Sequence, residues 1–340
     1  MMSRPNRRMA GGPSTIAVRR LRDTPVVEFG SVPGYGPIFN AGVIEVDGTF
    51  HLFARGVRDG YTRNRGFGAR FVHYISDVLV FTSDDGLDYR FQQVLAAGSP
   101  GGIHSIEDPR VQRVHSGGAE HVMMTYTNLP DPASGLPWRV GVHRLVYADG
   151  HFALNRNSGR VVGPEDVPDK DAVIFNLRDG RVALIHRIIP DMQLALFDSL
   201  DELYDARADY WDEHLRELDR HTLIRPSAGA LGVGAGAPPV AVDEGLLLFY
   251  HERGAHAQYT INVALLDADT GRVASLLPEP ILRPELSWEC SGDVNEVVFV
   301  QGAVPLPDGT IYLTYGAGDR CVGVASVNTA ELVAALRAAA

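Results

Sequence analysis

The chain has 340 residues, 45% of them hydrophobic and 21% charged, with a formal net charge of -11. That balance suits a soluble globular protein with a sizeable core, and the negative excess argues against nucleic-acid binding, which draws its affinity from clustered Lys and Arg. Only Cys290 and Cys321 are present, which makes neither a disulfide framework nor a zinc signature.

The N-terminal MMSRPNRRMAGGPST is basic, but no apolar segment of signal-peptide type follows it. No apolar run in the chain is long enough to span a bilayer. A cytoplasmic protein is expected, without membrane partners, and residues 1–25 read as a flexible extension before one domain over 26–340. That domain repeats one phrase. A polar residue opens an apolar run, a Gly-containing turn follows, and a second apolar run ends in a polar side chain. The copies are NAGVIEVDGTFHLFAR (Asn40 to Arg55), EDPRVQRVHSGGAEHVMMTYTN (Glu107 to Asn128), DKDAVIFNLRDGRVALIHR (Asp169 to Arg187), GAPPVAVDEGLLLFYH (Gly236 to His251) and NEVVFVQGAVPLPDGTIYLTYGAGD (Asn295 to Asp319).

Within a copy the alternation around Asp47-Gly48 has period two, which reads as a hairpin. A further apolar strand follows each: Ser76 to Gly86, Val140 to Gly150, Met192 to Ser199, Tyr259 to Gly271 and Val322 to Ser326. Three strands with room for a fourth make an antiparallel blade, and repetition at roughly 60 to 70 residues predicts an all-β fold, a five-bladed β-propeller. Two segments depart from it. Residues 199–221 carry apolar positions at helical spacing in a charged background, and predict a helical insertion on the outer face. Residues 328–339 open with Asn328 and Glu331 in a capping pattern and predict a C-terminal helix.

In a propeller the ends of the inner strands converge on one axis. That geometry gathers Asn40, Arg55, Asp108, Lys170, Asp171, Arg187, His251 and Asp319, a mixture suited to a polar substrate, an acid catalyst and an anion. GAGAPPV (Gly234 to Val240) is glycine-rich but enters a strand, so it is no phosphate-cradling loop of the nucleotide-binding type.

The ordered set IEDPRV, DKDAVIF, LIHR, GAGAPPV, LLLFYH, RPELSWECSGDVNEVVF and YGAGDRCVGVAS resembles glycoside hydrolase family 130, the β-mannoside phosphorylases and β-1,2-mannosidases. The likeness runs from about Asn40 to Ser326. The resemblance implies an inverting enzyme that cleaves β-linked mannosides, by phosphorolysis to mannose 1-phosphate or, alternatively, with water. It makes Asp108 the catalytic acid, for which a raised pKa is expected. It puts Asn40, Arg55 and Asp319 on the mannosyl unit, with Asp171 also at the substrate, and Glu107 and Arg110 flanking the acid. Lys170, Arg187 and His251 fall on phosphate-binding positions. The chain departs from the pattern where Gly232 stands in place of an expected Lys, and Arg225 or the basic loop Arg63, Arg65 and Arg70 are candidates to compensate. Water as nucleophile would need a second carboxylate roughly 6.5 to 9.5 Å from the acid, with Glu252, Glu165 and Asp166 as candidates. A non-catalytic carbohydrate-binding propeller is the third reading. No metal and no cofactor are expected, apart from inorganic phosphate as co-substrate. The partners are then a β-mannoside di- or oligosaccharide and phosphate, with no nucleic acid. A homo-oligomer is left open.

Overall fold

The computed structural model describes residues 16–63, 71–99 and 103–340. Five antiparallel sheets follow one another along the chain as the blades of a propeller. Blade 1 comprises Tyr35–Val46, Thr49–Arg58, Ser76–Ser83 and Arg90–Ala96, from the axis outward. Blade 2 comprises Ile103–Ser116, Ala119–Pro130, Arg139–Ala148 and His151–Leu154, with Arg160–Val162 also paired to its third strand. Lys170–Asn176, Val182–Arg187, Met192–Phe197 and Thr222–Ile224 form blade 3. Blade 4 has a split inner strand, Gly232–Ala235 and Val240–Val242, followed by Gly245–Arg253, Tyr259–Leu266 and Val273–Leu276. Blade 5 is Val298–Pro305, Thr310–Ala317 and Cys321–Asn328, and its outer strand is Arg19–Arg20.

The first hairpin has the turn its sequence demands. Asp47 and Gly48 both have positive φ, 53° and 81°, as a two-residue turn matched to strand twist requires. The apolar runs are buried on both sides, because each blade is sandwiched between two others. All six residues of Val182–Arg187 are buried. The core is therefore a ring of layers, one per blade interface. Leu248 and Tyr250 pack toward Val173 and Ile185 of blade 3, while Leu247 and Phe249 pack toward Val298 and Leu313 of blade 5.

The ring closes through the N-terminal segment. Arg19 and Arg20 pair with Ser326 and Ala325, and Val26 N donates to Val322 O at 2.8 Å. The propeller thus takes in residues that the repeat pattern placed in the 1–25 extension. Arg20 also donates through Nε and Nη2 to Glu289, both at 2.8 Å, and Glu289 is fully buried.

The insertion is three short helices, Leu200–Asp205, Ala208–Arg216 and Leu218–His221. The helical insertion expected over 199–221 is present and is broken at Ala206 and Arg207, which leave helical geometry with ψ of 110° and 174°. Ser199 Oγ caps the first helix by accepting from Glu202 N, and Leu200, Leu203 and Trp211 join the layer between blades 2 and 3. The buried His214 meets His186 of blade 3, Nε2 to Nε2 at 3.1 Å, and His186 Nδ1 lies 2.8 Å from Asp169 Oδ2. The C-terminal helix is Thr329–Ala339, capped by Asn328, with Leu332, Val333 and Leu336 buried.

Candidate active site

The inner strands do not run straight past the axis. Their registers slip between Phe39 and Gly42, Glu107 and Arg110, Lys170 and Val173, and Val300 and Gly302. Three of these bulges hold Asn40, Asp108 and Asp171 at φ of 47°, 52° and 53°. Asn and Asp tolerate this left-handed conformation better than most side chains, and a bulge re-aims the residue it carries. Blade 4 breaks its inner strand at the corresponding place, after Ala235, and in blade 5 the slip falls at the buried Gln301.

Arg110 locks the bulges together. Fully buried, it donates to Gly236 O and Ala235 O at 2.7 Å, to Asp108 O at 3.0 Å and to Asp171 Oδ1 at 3.3 Å. It therefore braces blades 2, 3 and 4 from behind the site.

Around the acid, Asp108 Oδ1 accepts from Asn40 Nδ2 at 2.8 Å and from Arg55 Nη1 at 3.1 Å. Arg55 Nη2 donates to Tyr74 Oη at 2.5 Å and also to Glu107. Its guanidinium lies 4.8 Å from the Phe39 ring centre and 5.1 Å from that of Tyr74. Asp319, at φ 52°, acts electrostatically on Arg55, Tyr74 and Tyr259. The two adjacent carboxyls shift apart. Burial drives Glu107 up, against the opposing charge of Arg55. Burial also pushes on Asp108, but Arg55, Lys170 and Arg110 together outweigh it and hold that carboxyl below its ordinary value. The expected raised pKa at Asp108 is thus corrected for the ligand-free site.

The basic side chains gather on Asp171. Lys170 and Arg187 stand opposite each other across neighbouring strands. Arg187 Nη1 lies 3.0 Å and His251 Nε2 3.4 Å from Asp171 Oδ2. Although burial opposes it, the charges of Arg187 and Lys170, helped by the nearby His251 ring, hold Asp171 well below the usual carboxylate range. Asp171 is 1% exposed, so it organises cations and does not line an open surface. Burial pushes His251 down to about 4, so its ring is neutral at pH 7. Its ring centre lies 4.1 Å from that of Phe299, with the planes tilted by 31°. Gly234 is required here, since a Cβ on it would sit 2.4 Å from Asp171 Oδ2 and 2.6 Å from His251 Nε2.

Asn40, Arg55, Glu107, Asp108, Arg110, Lys170, Asp171, Arg187 and His251 thus form one connected cluster. Other candidates lie elsewhere. Glu252 Oε2 accepts from Ser227 N at 2.8 Å on the blade face opposite His251. Glu165 and Asp166 border a cleft beside the insertion, with Arg139 and Trp211. Arg225 is a surface residue paired with Asp219 at 2.8 Å. Arg65 and Arg70 lie outside the described residues. Sequence reasoning passed over Tyr74 and Tyr259. Both stand at the start of a third strand, as Asp319 does, and that shared position was the available signal.

A family model described as beta-1,4-mannooligosaccharide phosphorylase matches residues 13–338. A β-1,2-mannobiose phosphorylase of Thermoanaerobacter sp. (strain X514) is 32% identical over 294 residues, covering 85% of this chain and 89% of the relative. A 1,2-β-oligomannan phosphorylase of the same organism is 28% identical over 326 residues, 93% of this chain and 99% of the relative. The solved structure of β-1,2-mannobiose phosphorylase from Listeria innocua, in complex with β-1,2-mannobiose, shares the fold with a TM-score of 0.70 at 18% identity, covering 94% of this chain and 99% of that one. The bulged Asp108, the Arg55 that clamps it and the matched length lead to one assignment: the chain belongs to glycoside hydrolase family 130.

Proposed function

We propose that the protein is an inverting β-mannoside phosphorylase acting on β-1,2-linked mannosides. The observation that carries this reading is the placement of Lys170, Arg187 and His251 around Asp171, on the axis that also holds Asp108. Asn40, Arg55 and Asp319 hold the mannosyl unit through directional hydrogen bonds to its hydroxyls. A phosphate oxygen attacks the anomeric carbon from the face opposite the leaving group, and the bond from that carbon to the glycosidic oxygen breaks. The proton of Asp108 passes to the departing oxygen, relayed by a sugar hydroxyl. The products are α-mannose 1-phosphate and a mannoside one unit shorter. Phosphate is also what readies the acid. Its negative charge beside Lys170 offsets part of the cationic field that keeps Asp108 ionised, so the carboxyl takes up its proton as the nucleophile arrives. The reaction as written needs no metal or organic cofactor, and we place it in the cytoplasm.

Incubation with β-1,2- and β-1,4-mannobiose, each with and without inorganic phosphate, tests the reading. Phosphate-dependent release of mannose 1-phosphate from the β-1,2 disaccharide is expected. Free mannose released without phosphate would show a hydrolase, and no turnover of either sugar would show a binding protein.

A further inference from the structure

Of the basic groups around Asp171, Lys170 makes no ion pair among the described residues, and the others add little positive charge toward a phosphate dianion. Arg187 is already paired with Asp171, Arg110 is tied to the same carboxylate from behind, and His251 is neutral. Blade 4 has a further cation on the right face. In its strand register Gly234 lies opposite His251 and Gly232 lies opposite Arg253, so Arg253 projects to the same side as His251, one step nearer the rim. The next residue in that row is Tyr259, opposite Arg253 on the other side.

Arg253 is held at its backbone and free at its head. Its carbonyl accepts from Leu231 N at 2.7 Å, while its buried Nε has no hydrogen-bond partner among the described residues. The guanidinium rests 5.8 Å from the centre of the Tyr259 ring, and Tyr259 in turn feels the charges of Arg187, Asp319 and Asp171. No side chain intervenes at Gly232: the residue is buried, yet a Cβ built there would meet nothing closer than Pro190 O at 3.4 Å, an ordinary contact.

We propose that Arg253 is a further ligand of the anion held by Lys170, Arg187 and His251, reaching from Tyr259 past Gly232, where no side chain intervenes. The inference rests on the phosphorolytic reading above. An orphaned guanidinium Nε gains a charge-assisted bond, and the anion gains the cation that the paired Arg187 and neutral His251 do not supply.

The test is the KM for phosphate and the KM for mannobiose in wild type, Arg253→Ala, Arg253→Lys and the double variant Arg253→Ala with Gly232→Lys. Loss of a bond to a charged group predicts a rise of about tenfold or more in the phosphate KM of Arg253→Ala, with the mannobiose KM changed by less than about twofold. Arg253→Lys should fall between, and the lysine at 232 should recover part of the loss, which a merely structural role for Arg253 would not allow. A phosphate-dependent wild type whose phosphate KM is unmoved by Arg253→Ala overturns this inference alone, as does an equal rise in both KM values. A wild type that cleaves without phosphate overturns the phosphorolytic reading, and this inference with it.

Discussion

Glu107 and Asp108 share Arg55, yet burial wins at the first and neighbouring cations win at the second. Lys170 acts on both, but Arg110 bears on Asp108, whereas at Glu107 the repulsion of Asp108 comes ahead of Lys170. The Glu-Asp-Pro-Arg motif pointed to Asp108, but ionisation is a sum over charges from three blades, and spacing along one strand carries none of that information. Asp108→Asn keeps an oxygen for Asn40 and Arg55 but removes the transferable proton and the carboxylate charge, while Arg55 keeps Glu107 as its ionic partner. Turnover should fall by about a hundredfold to ten-thousandfold, while the melting temperature stays within a few degrees of wild type. Steady-state phosphorolysis and a thermal melt check both, and substantial residual turnover would mean the acid is another group.

At the scale of the element, the bulge does the positioning. Strand order was legible because apolar runs and turn residues recur, whereas the bulges were not, since a slipped register looks like ordinary alternation until the partner strand is known. The Asn-Ala-Gly and Asp-Pro sequences at Asn40 and Asp108 were the visible hint. Packing of the bulges against the next blade is close: a Cβ on Gly316 would lie 1.9 Å from Asn40 Oδ1. Gly316→Ala should therefore destabilise by about 1 to 3 kcal/mol and weaken turnover by moving Asn40. Gly232→Ala, whose Cβ would meet Pro190 O at an ordinary 3.4 Å, should melt close to wild type. The insertion has its own liability. Burial, reinforced by His186 and His221, pushes His214 down to about 2 from 6.5. The unfolded chain gains a proton below about pH 6.5 that the folded one refuses, so this contribution is intact above that pH and declines below it, by at most about 1.4 kcal/mol per pH unit. Denaturant melts from pH 7.5 to 5 should show the decline, and His214→Gln should flatten it.

For the whole molecule, closure of the ring decides stability. The repeat predicted the number of blades, but nothing in it said which segment would complete the last one, because Arg19–Arg20 is too short to show a strand pattern. Arg20 makes the closure costly to lose. Its removal strands the fully buried Glu289, which otherwise also accepts from Tyr315 Oη at 2.8 Å. Arg20→Ala should cost about 3 to 5 kcal/mol, read as a lower denaturant midpoint, whereas Arg22→Ala, at an exposed pair with Asp88, should cost less than about 1 kcal/mol. The pairing of Arg19 with Ser326 also sets an order of events in the cell. The partner of that first strand leaves the ribosome only after the other four blades have been made, so the nascent chain carries an unfinished ring with two unprotected ends throughout its synthesis. Those ends are apolar blade faces of the kind that associate with the wrong neighbour. The chain's exposure to misassembly therefore peaks just before translation of the last blade is complete.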